Sequence, residues 1–158
     1  MTVTVISVGT VKESYITEAV AEYEKRIRAY SKIENISIKE ERLGEKEDKG
    51  AIEKALRTEG EKILSAIPDG AFRIALCVEG RMFSSEELAE KITEASGRSG
   101  KICFIIGSSY GLSDHVKQSC DLLLSVSPLT FPHQLMRVIL AETLYRSLTI
   151  SAGKKYHK

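Results

Sequence analysis

Five short runs rich in β-branched and other apolar residues punctuate the chain, and a helical pattern follows each of them. The runs are "TVTVISVG" (2–9), "IENISIKE" (33–40), "FRIALCVEG" (72–80), "KICFIIG" (101–107) and "DLLLSVS" (121–127). Ile16, Ala19, Val20, Tyr23, Ile27 and Tyr30 recur at helical spacing between 14 and 30. A surface helix is expected over about 51–66. Ser84 and Glu87 stand in capping-box spacing at the head of "SSEELAEKITEA". A short helix is expected near 114–119. Pro132 suits a first helical position, which has no use for an amide hydrogen. After it, Leu135, Met136, Val138, Ile139, Leu140, Leu144, Tyr145 and Leu148 form an apolar face broad enough for a mostly buried helix. Strands that alternate with helices imply an α/β fold, with a largely parallel sheet flanked by helices. No repeat or linker divides the chain, so residues 1–158 are expected to form one domain.

Composition narrows the class. With 42% hydrophobic and 28% charged residues, the chain matches a soluble globular protein and not a disordered one. No apolar run approaches the roughly 18 residues that span a bilayer. The N-terminal "TVTVISVGT" lacks a basic leader and reads as a strand, not a signal peptide. The formal net charge is +1, so contact with nucleic acid cannot rest on global charge. Residues 39–62 carry seven basic and eight acidic side chains and read as a solvated surface segment. The odd count and wide spacing of Cys77, Cys103 and Cys120 argue against a disulfide framework. His115, His133 and His157 lack metal-ligand spacing, so no metal is expected. Together these features suggest a reducing cytoplasm and no membrane association.

Ligands of open α/β sheets sit beyond the carboxyl ends of the strands. Three loops form that edge here: Val78-Glu79-Gly80, Gly107 to Gly111, and Val126 to Phe131. Their glycines permit close backbone approach, and Leu76, Leu129 and Phe131 supply apolar walls. "GSSYG" is neither a P-loop nor a dinucleotide fingerprint. On pattern alone, tight strand–helix turns and a ligand site are equally good readings. The odd feature is the weakly charged "SVSPLTF" loop (125–131), which feeds directly into a core helix.

At "FIIGSSYGLSDHV", "LSVSPLTFPHQLMRVILAETLYR" and the terminal "YHK", the chain resembles the RlmH family. These are small SPOUT-class methyltransferases that modify a pseudouridine in large-subunit ribosomal RNA. The resemblance extends to the start (Val8, Gly9, Thr10, Lys12), "AEYEKR" (21–26), "EGEKIL" (59–64) and the block from Leu76 to Ala89. It implies S-adenosylmethionine as methyl donor and N3-methylation of a pseudouridine in 23S ribosomal RNA on assembled ribosomes. It also implies a homodimer and a trefoil knot near the C-terminus. The donor site implied by analogy is Leu76, Gly107, Val126, Ser127, Pro128, Leu129, Thr130 and Phe131, within the loops already picked out on sheet geometry. The chain departs from the common family pattern at Ser108, where glycine is frequent, at Val126-Ser127-Pro128-Leu129, and at 151–155.

The acceptor N3 of a uracil ring must lose its proton, and histidine is the usual base near neutral pH. His157 is the candidate base, with Tyr156 orienting or stacking on the nucleotide. Arg137 completes the candidate catalytic set as a contact to substrate phosphate. Lys154, Lys155 and Lys158 are the candidate RNA contacts. Read without the family, "KKYHK" is an ordinary solvated tail; the resemblance makes 151–158 a functional tail, plausible across the dimer. His133 reads as a capping or packing histidine, and Tyr110 as either an RNA-stacking or a loop-packing residue. Two other functions fit the same pattern. One is a non-catalytic adenosylmethionine- or nucleotide-binding module docked on ribosomes. The other is a SPOUT methyltransferase acting on another RNA, such as transfer RNA.

Overall fold

The computed structural model describes residues 1–156. Among them, β1 (Thr2–Val8), β2 (Lys32–Ile38), β3 (Phe72–Arg81), β4 (Lys101–Ile106) and β5 (Leu122–Leu124) form one sheet in the order β2-β1-β4-β3-β5. All four strand pairings are parallel. The crossovers carry α1 (Ser14–Ile27), α2 (Lys49–Ala66), α3 (Ser85–Ser99) and α4 (Asp114–Gln118), and α5 (His133–Ser151) follows β5.

The period-two pattern of the strands sorts side chains onto two faces. Val3 and Val5 of β1, Ile74 and Leu76 of β3, and Ile102, Phe104 and Ile106 of β4 pack against Ile27 of α1, Leu88 and Ile92 of α3, and Leu140, Leu144 and Leu148 of α5. The alternate residues Ile6, Val8, Ala75, Cys103 and Ile105 face the other way, onto Ile63 of α2 and Val116 of α4. Burial on both faces explains why β1 and β4 read as nearly continuous apolar runs. Each fully buried Ile or Phe contributes roughly 1.5–3 kcal/mol.

Helix ends follow the local code. Ser84 Oγ accepts from the Glu87 amide at 3.1 Å, and the Glu87 carboxylate accepts from the Ser84 amide at 2.7 Å, completing the expected capping box. α3 stops at Gly100, whose φ of 67° is left-handed. No helix among the described residues is long and apolar enough to cross a membrane.

Four expectations need correction. β5 is three residues long, not seven. Beyond Leu124 the Ser125 hydroxyl donates to the Ser127 carbonyl at 3.0 Å and Ser127 Oγ accepts from the Leu129 amide at 3.0 Å, so side chains take over the ladder's role. Pro132 is the N-cap of α5 and not its first helical residue. The 39–62 segment is not simply surface: Glu59 is 3% exposed, and Ile63 is buried with it. The cause is Gly60, where a Cβ would come within 2.8 Å of Ser113 Oγ; its absence lets the start of α4 close onto α2. Finally, α5 is less covered than its pattern suggests. Leu140, Leu144 and Leu148 are buried, but Leu135 is 38% exposed, and Val138 and Ile139 are only partly covered.

Candidate active site

From β3 the chain leaves toward the α1, α3 and α5 face, and from β4 toward the α2 and α4 face. Loops that part to opposite sides of a parallel sheet open a crevice at its carboxyl edge. A cavity of about 330 Å³ lies there, lined by the ends of β3, β4 and β5 and the start of α5. That volume lies within the roughly 300–1,000 Å³ range of small-molecule clefts. Of the eight predicted donor-site residues, Leu76, Gly107, Val126, Ser127, Leu129, Thr130 and Phe131 line it. Pro128 does not line it and is exposed.

Two glycines make the crevice possible. A Cβ on Gly107 would sit 2.3 Å from the Gly111 carbonyl oxygen, inside the turn closed by the Gly111 amide donating to the Ser108 carbonyl at 2.9 Å. A Cβ on Gly80 would meet the Leu123 and Leu124 backbone at 2.7 Å. Both are requirements of space and not of backbone conformation, since neither φ is positive. Where Gly80 lets β5 approach, the register slips between Leu76 and Arg81, both of which pair with Leu124, and the Ser125 amide donates to the Arg81 carbonyl at 2.9 Å. This bulge turns the 125–131 loop over the cavity instead of along the sheet.

The lining suits a nucleoside carrying an amino-acid arm. Leu76, Ile106, Leu124, Phe131 and Met136 are apolar, while Ser108, Ser125, Ser127 and Thr130 bear hydroxyls. Glu79 and Lys117 form an ion pair within the lining. Pairing with Lys117 holds the Glu79 carboxyl below its ordinary range and raises the Lys117 ammonium. Cys77 lines the same space, and burial there pushes its thiol up, which disfavours the nucleophilic thiolate.

Glu79 and Ser108 belong to the edge loops read from the sequence, but Lys117 and Met136 lay outside that reading: they join the cavity because crossovers converge on it, which no local pattern signals. His133 lines both this cavity and a second groove over Gly9, Thr10, Lys12, Lys39 and Arg42, so it stands on the wall between them. Tyr110 lines the cavity, and the Glu47 carboxylate of the β2–α2 segment raises its phenol.

Two members of the predicted catalytic set, Arg137 and Tyr156, do not line this cavity. Arg137 turns to the end of β1, donating to the Val8 carbonyl at 3.2 Å and the Gly9 carbonyl at 2.6 Å. Its Nε is buried without a partner among the described residues, and burial lowers its pKa. It lines a separate, mostly apolar groove with Val11, Val20, Ile33, Leu140 and Leu144. Tyr156 packs edge-on against Tyr145 at 4.7 Å, beneath the Arg146 guanidinium at 4.9 Å. Its hydroxyl reaches Glu142 Oε1 at 3.4 Å, and burial raises its phenol. Tyr145 lies nine residues beyond Met136 along α5, or about 14 Å at the helical rise. Lys154 and Lys155 are exposed. His157 and Lys158 lie outside the described residues.

Comparison with known proteins bears on this geometry. A family model described as a predicted SPOUT methyltransferase matches residues 1–157. A protein of Caldicellulosiruptor bescii called ribosomal RNA large subunit methyltransferase H is 49% identical over 154 residues, covering 98% of each chain. The protein of that name from Bacillus pumilus is 45% identical over 159 residues, covering all of both chains. Among solved structures, a probable methylase family protein from Haemophilus influenzae superposes with a TM-score of 0.53 at 14% identity, over 98% of this chain and 67% of that one. A structure described for 2-OH methylation of C/U34 on tRNA gives 0.51 at 17% identity, over 94% and 97%. The last two likenesses speak to fold alone. A parallel sheet with a glycine-shaped crevice at its carboxyl edge, matched end to end by the family model and by close relatives, places this chain in the SPOUT methyltransferase family, whose members take their methyl group from S-adenosylmethionine.

Proposed function

We propose that this chain N3-methylates a pseudouridine of 23S ribosomal RNA on assembled ribosomes, with S-adenosylmethionine bound in the β3–β4–β5 cavity. The observation that carries the reading is that cavity: seven of the eight residues expected from the family resemblance line it, and the Gly107 turn has no room for a side chain. Leu76, Gly107, Val126, Ser127, Leu129, Thr130 and Phe131 hold the donor, with Glu79 and Lys117 offering one charge of each sign to its zwitterionic arm. The bound donor supplies an activated methyl group. The protein's remaining work is to orient the acceptor and accept the N3 proton.

The tail performs that work from a second copy of the chain. Tyr156 in its own protomer is packed on α5 well away from the cavity, so a tail that acts there belongs to a partner in a homodimer. The half-covered Leu135, Val138 and Ile139 and the apolar groove beside α5 are the surface such a partner would cover. In this assembly His157 takes the N3 proton and Tyr156 stacks on the base. Lys154, Lys155 and Lys158 contact RNA phosphate, while Arg137 braces the end of β1 beside the site. Residues 1–158 act as one knotted domain with 151–158 as its functional tail, in the cytoplasm where ribosomes are.

The test uses radiolabelled donor, ribosomes from a strain lacking this gene, and two proteins: the intact chain and a version ending at Gly153. Label entering large-subunit RNA with the intact chain only is the expected result. Label with both would remove His157 and Tyr156 from the mechanism. Donor binding without label from either would leave the binding-module reading, or another RNA as substrate. Light scattering should give a dimer mass; a monomer would refute the shared site.

A further inference from the structure

The carboxyl edge of the sheet carries a second cleft beside the donor cavity. In the strand order β2-β1-β4-β3-β5 the cavity opens at β3, β4 and β5, and the groove over Gly9 opens at β1 and β2. The groove holds about 750 Å³, ample for a nucleotide by the measure of ordinary ligand sites. His133 lines both clefts. No step described above uses the groove or this imidazole.

Two half-buried side chains converge over its floor. A Cβ placed on Gly9 would lie 3.5 Å from Glu40 Oε2 and 3.6 Å from His133 Nε2, so both heads stand above the same residue. Neither head forms a hydrogen bond or an ion pair with a described residue. The floor beneath them is fixed. Gly9 has a left-handed φ of 86°, its amide donates to the Ile38 carbonyl at 2.8 Å, and its carbonyl takes the Arg137 bond at 2.6 Å. Exposed Lys12, Lys39 and Arg42 stand along the same groove. Of the other carboxylates there, Glu41 is held by Lys62 at 2.6 Å and Glu47 is exposed.

This order of groups matches the edge of one base. Around the pseudouridine ring the groups run N1–H, C2=O, N3–H. Along the sheet edge they run Glu40, His133, donor cavity. A carboxylate is an acceptor for N1–H, and a protonated Nε2 is a donor to the carbonyl. Uridine presents a carbonyl in the same middle place but C5–H where pseudouridine presents N1–H.

We propose that the groove over Gly9 seats the acceptor nucleotide and that Glu40 distinguishes pseudouridine from uridine. The Glu40 carboxylate accepts from N1–H, His133 Nε2 donates to the neighbouring carbonyl, and N3 is thereby turned toward the donor cavity. Lys12, Lys39 and Arg42 meet the flanking phosphates, which position the strand without reading it. Against uridine the carboxylate faces a C–H group and loses its partner, a loss that discriminates more strongly than a missing apolar contact. This rests on the pseudouridine reading above.

The experiment compares kcat/KM for label transfer to two ribosome preparations, both lacking the methyl group. One carries pseudouridine at the target. The other, from a strain that also lacks the synthase forming it, carries uridine there. Wild type should favour pseudouridine by at least about tenfold. Glu40→Ala should lose about 10- to 150-fold on pseudouridine, the scale of a hydrogen bond to a charged group, and little on uridine, so that the preference shrinks to within about threefold. Glu40→Gln keeps a neutral acceptor and should fall between. His133→Ala should lower both substrates alike and leave the preference unchanged, because both present the carbonyl. A merely structural role for Glu40 would likewise lower both together. Donor affinity of Glu40→Ala, read by calorimetry, should stay within about twofold of wild type, since Glu40 does not line the donor cavity. An unchanged preference in Glu40→Ala overturns the inference, as does wild type that methylates both preparations equally. If Glu40→Ala does not fold, an unchanged preference in Glu40→Gln does the same. Wild type that labels neither preparation would instead overturn the pseudouridine reading, and the inference with it.

Discussion

Replacing Gly107 with alanine tests the cavity most directly. The added Cβ would lie 2.3 Å from the Gly111 oxygen, 2.5 Å from the Gly111 carbonyl carbon and 3.0 Å from Leu112 Cγ. The first two are backbone atoms and cannot rotate away as a side chain would. The turn they belong to is held by the Ser108–Gly111 bridge and by β4, whose last residue Ile106 is 3% exposed. Relief requires moving the 108–111 backbone by roughly an ångström within a close-packed setting. Overpacking of this kind costs about 1–3 kcal/mol. For a chain of this size that lowers the melting temperature by roughly 2–12 °C. A wall displaced by about an ångström should weaken donor binding by roughly 10- to 100-fold. Calorimetric melting and donor titration read both effects. A variant that keeps both the wild-type melting point and the wild-type affinity would refute the placement of Gly111 over Gly107. Gly97→Ala is the matched control. Gly97 lies in α3 with no atom within 4 Å of its added Cβ, so the substitution should stabilise by about 0.5–1 kcal/mol and leave binding alone.

Arg137→Ala strips the Val8 and Gly9 carbonyls of their donor and should cost about 1–3 kcal/mol in urea unfolding. Full stability with lost methylation would make Arg137 a substrate contact and not a brace. Burial pushes the Cys103 thiol up to about 12 and the Cys120 thiol up to about 11, from an ordinary value of 9.0. Above pH 9 the unfolded chain releases protons that the folded chain retains, so stability should fall as pH rises from 9 toward 11 and be unaffected by these thiols below 9. Urea midpoints across that range check the sign; a flat profile would refute it. In native protein at pH 8, a thiol reagent should modify half-buried Cys77 before Cys103, which is fully buried.

The sheet was legible because its strands are buried on both faces. Runs such as 101–107 and 72–80 carry enough branched and apolar residues to be strands wherever they fall, and Ser84 with Glu87 marks its helix start through bonds that span three residues. The cavity loops were legible for a related reason: in a parallel sheet every strand end lies on the same edge, so Gly107 and the 126–131 segment had to meet there. β5 was misjudged beyond Leu124 because Ser125 and Ser127 satisfy the backbone locally, a choice that depends on where β3 offers its last partner. Glu59 was read as solvated because its neighbours in sequence are charged. Nothing within a few residues of it announces that Gly60 lets α4 close over that turn.

Sequence by itself determined the elements, the parallel sheet and the edge at which the cavity opens, since those follow from periodicity and from bonds between near neighbours. Tertiary structure decided which distant groups share that edge. It joined Glu79 to Lys117 across the cavity, placed His133 on the wall between two clefts, sent Arg137 to the carbonyls of β1 and set Tyr156 against its own α5. Each of these is a contact between segments whose separation along the chain says nothing about their separation in space, and packing of the two sheet faces alone fixes it.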